Sequence, residues 1–352
     1  MGEEQEQLAV ELVAVVVAVV SGRPRVLTAP PPAPGIPALP AGPLEAGQPS
    51  LQAGLRSWVA SQTGRQLGYV EQLYTFADHE RGLDDTSGRR ISISYLGLTT
   101  AGAEGADGAE GAEATEGGDA ATGSAPSMTS MTSMTSMTSM TSMTSEETDW
   151  YDAYALLPWE DQRDGTRLVD EVIAPQLTHW VGAAGSPADR TARRHRCDLT
   201  FGRGGHAWLP DLALQRYELL YEVGLVPEAR DAWRLPDDDL VPGERMIGDH
   251  RRILATGLAR LRAKIQYRPV VFELMPPEFT LGELQSCVEA LAGQALHKQN
   301  FRRLVEQQAL VEETGSVSSG TGGRPARLYR FRRSVLDERQ VAGTKLPALR
   351  TR

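Results

Sequence analysis

From Met128 to Ser145 the chain repeats Met-Thr-Ser six times, and this tract limits where folded structure can lie. A period of three matches neither a helix face nor a strand face. With the Ala/Gly/Glu-rich stretch before it, the tract forms a segment, 101–148, that holds no aromatic residue. Such a segment cannot bury enough apolar surface to offset its ordering entropy. It is expected to be a disordered low-complexity insertion within a domain.

The same insertion explains the charge. The chain carries a net −10, which is unfavourable for binding nucleic acid. Residues 101–149 contain nine Asp or Glu and no Lys or Arg, leaving about −1 for everything else. Residues 280–352 carry twelve Lys or Arg against seven Asp or Glu. The acidity sits in the insertion and the C-terminal end is basic.

Two cysteines, Cys197 and Cys287, give no disulfide framework and fit a reducing compartment. The six histidines are scattered with no H-E-x-x-H pair, so no metal site is expected. Leu8 to Val20 is apolar, but Glu3, Glu4 and Glu6 precede it in place of a basic leader, and it is too short to span a bilayer. Its valine density reads as a buried strand. The chain is therefore expected to be soluble and cytoplasmic.

Val13 to Val20 and Arg25 to Ala29 read as strands joined at Ser21-Gly22. The proline-rich Ala29 to Pro43 reads as loop, and Ser50 to Thr63 as a helix stopped by Gly64. Tyr69 to Phe76 and Ile91 to Leu98 read as strands. Beyond the insertion, Leu156 to Asp161 reads as a loop or strand end, Leu168 to Val181 as a helix, and Pro187 to His195 only as polar and basic. Leu212 to Val223 and Ile247 to Gln266 carry helical periodicity, with an acidic loop, Pro236 to Gly243, between them. The second of these helices could pack on a second subunit or within the chain.

The C-terminal part holds ordered signals. Thr280-Leu281-Gly282-Glu283 has the form of a capping box. The following helix places Leu281, Leu284, Cys287, Val288 and Leu291 on one side and stops at Gly293. Lys298 to Gln308 predicts a second helix with Phe301, Leu304 and Val305 inward. Gln299, Arg302 and Arg303 project outward with Lys298 and Asn300 beside them, side chains suited to phosphates and purine edges. Leu310 to Thr314 and Arg327 to Phe331 then predict a hairpin whose Arg324 and Arg327 could reach phosphates or a minor groove. This order is that of a winged helix-turn-helix. Thr280, Lys298, Gln299, Asn300, Arg302, Arg303, Arg324, Arg327 and Tyr329 are the candidate DNA contacts.

Leu39 to Gly47, followed by a helix ending Gln62-Thr63-Gly64, resembles the Nudix box. That motif uses glutamates to bind divalent metal ions, which activate water against a diphosphate. Here no Asp or Glu lies between Glu45 and Glu71. The helix cannot hold metal in the usual way, so no catalytic residue is assigned and no hydrolysis is expected. Tyr69 to Asp78, Ile91 to Leu96, Phe279 to Gln285, Asn300 to Arg303 and Gly323 to Phe331 resemble the Nudix-related transcriptional regulators of NAD metabolism (the NrtR/NadQ-like proteins). Pro158 to Asp161 and Arg216 to Glu222 look like the longer proteobacterial, NadQ-type branch.

The resemblance implies an α+β chain: a degenerate Nudix-like α/β/α sandwich over 1–185 including the insertion, a helical connector over 186–268 with a possible role in dimerisation, a winged helix over 269–335, and a flexible tail over 336–352. It implies a homodimeric repressor of NAD biosynthesis or salvage genes that binds double-stranded operator DNA. It needs no cofactor, and NAD, ADP-ribose or ATP would be its effector. An adenine needs an apolar platform and a diphosphate needs cations or amides. Candidate ligand residues are Arg56, Glu71, Gln72, Tyr74, Phe76, Arg89, Arg90 and Trp159. Two other readings are a working Nudix hydrolase of ADP-ribose or another nucleoside diphosphate derivative, using Glu71, Asp78, Glu80, Asp84 or Asp85, and a scaffold without DNA activity.

Overall fold

The computed structural model describes residues 9–30, 35–77, 90–100, 150–233, 239–318 and 325–334. The Met-Thr-Ser tract, Asp78, Glu80, Asp84, Asp85, Arg89, Arg324 and the tail from 335 lie outside the described residues.

Strand β1 (Ala9–Val20) is the valine run. Leu12, Ala14 and Val16 pack with Leu55 and Val59 of helix α1 (Leu51–Thr63). Val13, Val15 and Val17 face the opposite way, into the larger core. A strand covered on both faces needs apolar residues at every position, which is why the run does not alternate. Strands β2 (Arg23–Leu27) and β3 (Ala41–Pro43) pair antiparallel with β1, the latter inside the segment read as loop. Strand β4 (Tyr69–Phe76) lies at one edge beside β5 (Arg90–Leu98), and β5 is parallel to β1. Strand β6 (Trp150–Asp152) closes the other edge, in the order β4-β5-β1-β2-β6.

Helix α1 starts at Ser50, whose hydroxyl accepts from the Ala53 amide at 3.1 Å, and ends at Gly64 as expected. Three segments after the insertion differ from expectation. Leu156 to Asp161 is helical: α2 (Ala153–Leu156) runs into a 3-10 turn over Pro158–Glu160. The Asp152 carboxylate caps the first turn, and Pro158 opens the second. The helix expected from Leu168 begins as a π turn, Val169–Ile173, before α3 (Ala174–Gly182). Pro175 has no N–H for the Glu171 carbonyl, and the wider turn precedes it. Pro187–Thr200 is a full helix, α4, capped by Ser186, with Pro187 at a position whose N–H would be unpaired anyway. Its buried side chains are only Cys197 and Thr200, too narrow a stripe for periodicity to reveal.

Helices α5 (Ala213–Val223), α6 (Pro227–Trp233) and α7 (His250–Ile265) follow. Part of the acidic loop, 234–238, lies outside the described residues. Helix α7 packs within the chain, on the sheet. At Gly257 a Cβ would stand 2.7 Å from Val15 Cγ1, so only glycine allows this approach. Ile253, Leu254, Leu258 and Leu261 are buried beneath it.

A 3-10 turn, Val270–Leu274, leads to α8 (Leu281–Ala292), α9 (Lys298–Gln307) and the antiparallel hairpin β7 (Val311–Val317) and β8 (Arg327–Phe331). The molecule is an α+β chain: a sheet between α1 and a broader helical layer, then a helix-turn-helix with its wing. One apolar cluster runs from Val15 through Leu258 to Phe301, so α8 and α9 share a core with the sheet. Among the described residues, no helix is long and apolar enough to cross a membrane.

Candidate nucleic-acid interface and a cavity beside the sheet

The helix-turn-helix begins with the capping box. Thr280 Oγ1 accepts from the Glu283 amide at 3.1 Å, and Glu283 Oε2 accepts from the Thr280 amide at 2.7 Å. The Thr280 hydroxyl is thereby committed to α8. At the other end Gly293 has φ 67°, and a Cβ there would lie 2.0 Å from the Glu160 carbonyl oxygen. Both the left-handed backbone and the lack of space demand glycine.

In α9, Phe301 and Val305 anchor the inner face. With about 100° per residue, Gln299, Arg303 and Glu306 point most directly away from that anchor, flanked by Asn300 and Arg302. All five are exposed, as is Lys298. Asn300 Oδ1 accepts from Arg303 at 3.4 Å. Leu304 was expected inward but is 51% exposed. Three residues beyond Phe301, it falls about 60° to one side and misses the core.

The wing is tied to the body by its main chain. The Phe279 and Tyr329 amides each donate to the other's carbonyl, at 2.9 and 2.8 Å. The rings of Phe272 and Phe331 stack at 4.3 Å. Arg327 pairs with Glu313 and Arg330 with Glu312, each at 2.7 Å. Tyr329 donates to Glu313 at 3.4 Å. Arg327 and Arg330 thus carry their own counter-charges.

The ligand candidates scatter. Arg56 donates to the carbonyls of Leu67 and, at 2.9 Å, Gly68, fastening α1 to the entry of β4. Arg90 lies 3.6 Å from Glu11. Tyr74 is 63% exposed on the edge strand, while Phe76 is buried under the Arg252 guanidinium. Trp159 is 0% exposed, with Arg251 over its ring at 5.0 Å. It cannot offer an adenine platform, because the first turns after the insertion carry it into the core. Glu71 and Gln72 do line a cavity, of about 400 Å³, between β4 and the C-terminal end of α7.

That cavity's other walls were missed in the sequence. Arg260 and Lys264 come from α7, and Tyr267 and Arg268 from the segment after it. Glu71 Oε1 accepts from Arg260 at 3.0 Å, and Lys264 pairs with its other oxygen. The available signal was the spacing of Arg260 and Lys264, one turn apart beside apolar positions.

A second cluster was also missed. Glu160, fully buried, accepts from Arg216 at 2.6 and 2.9 Å and from Arg262. Burial alone would raise the Glu160 carboxyl; Arg216 and Arg262 outweigh it and hold the pKa below the ordinary range. Arg262 also donates to the Leu291 carbonyl, and the Tyr154 hydroxyl to that of Ala290 at 2.6 Å. The network therefore grips the C-terminal turn of α8. Among the described residues, no group of three or more His, Cys, Asp or Glu is placed to hold a metal ion.

Fold and site define a class: a layered α/β body bearing a winged-helix DNA-binding domain. Residues 271–331 match the family model of the NrtR DNA-binding winged helix domain. Over 83 residues the chain is 46% identical to the ADPR responsive transcriptional repressor NtrR of Acinetobacter baylyi, a stretch covering 24% of this chain and 33% of that protein. The match thus spans about a third of the curated relative's length. The crystal structure of Shewanella oneidensis NrtR complexed with a 27mer DNA aligns with TM-score 0.50 at 17% identity, covering 93% of this chain and 95% of that one. The C-terminal domain matches the NrtR-type winged helix, and the fold of the whole chain is similar to that of Shewanella oneidensis NrtR.

Proposed function

We propose that this chain is a transcriptional regulator that represses genes of NAD biosynthesis or salvage. Its winged helix binds double-stranded operator DNA, and its Nudix-like body senses an NAD-related adenine nucleotide, ADP-ribose first. The observation that carries this reading is α9: on a domain of the NrtR DNA-binding type, it presents Gln299, Asn300, Arg302 and Arg303 to solvent. Those side chains suit phosphates and purine edges. The relative from Acinetobacter baylyi, described as an ADPR-responsive repressor, supports the choice of effector.

On this reading the chain acts in the cytoplasm as a homodimer on two half-sites about one helical turn apart. It does not hydrolyse its ligand, because α1 carries no carboxylate and Glu71 is engaged by Arg260 and Lys264. A ligand releases DNA only if it prefers the conformation that binds DNA poorly. The test is a gel shift of the full chain on its own upstream DNA, titrated with ADP-ribose, NAD and ATP. Retention that ADP-ribose weakens is expected. Turnover of ADP-ribose with magnesium that Glu71→Gln abolishes would replace the regulator with a hydrolase.

A further inference from the structure

We propose that helix α4 and the glycine-rich loop after it, 201–206, form a second contact with DNA, gripping the phosphate backbone beside the sequence that α9 faces. The proposal goes beyond the α9 interface and rests on the DNA-binding reading above.

In a chain of net −10, residues 187–206 hold five Arg and two Asp, with His195 and His206 besides. Helix α4 buries only Cys197 and Thr200, so packing does not account for this charge. Two of the cations are engaged locally. Arg193 lies over the Trp180 ring at 4.3 Å and donates to its carbonyl, and Arg196 pairs with Glu222 at 2.5 Å. Arg190 and Arg194 are exposed and stand one turn apart on one side of α4. Among the described residues, no carboxylate pairs with either. Of the two Asp, Asp189 accepts from the Ser186 hydroxyl at 2.7 Å, and Asp198 backs the loop. In that loop Gly202, Gly204 and Gly205 have φ 62°, 60° and 90°, and a Cβ at Gly204 would stand 2.9 Å from Asp198 Oδ2. Such glycines leave the main chain open to close approach by another backbone. Arg203, with its side chain 40% exposed, holds only the surface carboxylate of Asp170 and can exchange it for a phosphate.

Position favours DNA over other anions. Arg262 donates to the Leu291 carbonyl in the last turn of α8 and, at 3.1 Å, to the carbonyl of Pro210, where the segment from α4 returns. Arg216 holds the carbonyls of Thr200 and Leu209, at 3.1 and 3.0 Å, and closes that segment at its base. The loop therefore stands on the same guanidinium as the turn into α9, and Arg194 and Arg190 continue the line of cations away from it. Helix α4, of 14 residues, extends for about 20 Å, the rise of about six base pairs. Arginines and open main chain suit phosphates, which fix orientation and carry no sequence.

The test measures DNA binding by the full chain in fluorescence anisotropy, on its own upstream DNA and at several salt concentrations. The duplex is shortened stepwise from both ends. For the double variant Arg190→Ala with Arg194→Ala, affinity on the longest duplex is expected to fall roughly fivefold or more, and the salt slope to flatten by about two units, one per lost phosphate contact. The wild type should lose the same factor when about six flanking base pairs are removed, and the variant nothing. Arg190→Lys with Arg194→Lys should retain most of the affinity, and Arg203→Ala should weaken it in the same length-dependent way. Unchanged affinity and slope in the double Ala variant would overturn the second contact and leave the repressor reading standing. A loss of equal size on every duplex would trace to the fold and overturn it too. Tighter binding by the variant would assign α4 to an acidic occupant, such as segment 101–149 of the same chain, in place of DNA. No binding of any duplex by the wild type would remove the DNA-binding reading and this contact with it.

Discussion

Arg262 donates to the main-chain oxygen of Leu291 at 2.8 Å, joining the helix on the sheet to the last turn of the first reader helix. The same guanidinium reaches Glu160, so a buried ion network and the seating of the reader are one feature. Glu160→Gln leaves Arg216 and Arg262 buried without a counter-charge. A loss of about 3–5 kcal/mol is expected in urea unfolding. A loss below about 1 kcal/mol would show that the network is not what holds this junction.

The two apolar side chains of α9 with opposite exposure should separate in stability. Phe301→Ala is expected to cost about 3 kcal/mol, because the ring is 8% exposed and leaves a cavity. Leu304→Ala should stay within about 0.5 kcal/mol. The comparison is a pair of thermal melts. Equal losses would place Leu304 in the core, against its 51% exposure.

Glu313 neutralises Arg327 in the free wing. Glu313→Gln should therefore tighten DNA binding and steepen its salt dependence by up to about one unit of slope, the release expected for one further phosphate contact. Arg327→Ala should flatten it. An unchanged slope in both variants would remove the wing from the interface.

His250 makes a pH-dependent contribution. Its Nδ1 accepts from the Leu39 amide at 2.9 Å, and the imidazole pKa is pushed from 6.5 down to about 4, by burial first and by the charge of Arg90 second. The unfolded chain takes up the proton first. The contribution is complete above pH 6.5 and is lost as the pH falls towards 4. It should amount to at most about 3 kcal/mol. Subtracting the pH profile of His250→Asn from that of wild type should isolate it; superimposable profiles would contradict the assignment.

Much of the architecture was legible because it rests on local chemistry. Ser50 and Gly64 delimit α1, Thr280 and Glu283 start α8, and the valines of β1 announce a strand covered on both faces. The reader was legible for the same reason, through Phe301 and Val305 at one turn's spacing. The cavity between β4 and α7 was not. Its walls come from Glu71 and from Arg260 and Arg268, almost two hundred residues later, and only tertiary packing unites them. Trp159 misled because a tryptophan beside an acidic pair suits a binding loop and a core equally well. It is covered by Arg251 of α7, which no local pattern connects to it.

Recognition of DNA by α9 stands or falls with the double variant Arg302→Ala and Arg303→Ala. Both side chains are exposed, so folding should persist by circular dichroism. In a gel shift on the chain's own upstream DNA, the variant is expected to lose retention at concentrations where the wild type is fully bound. Wild-type retention by the folded double variant would remove α9 from the DNA interface.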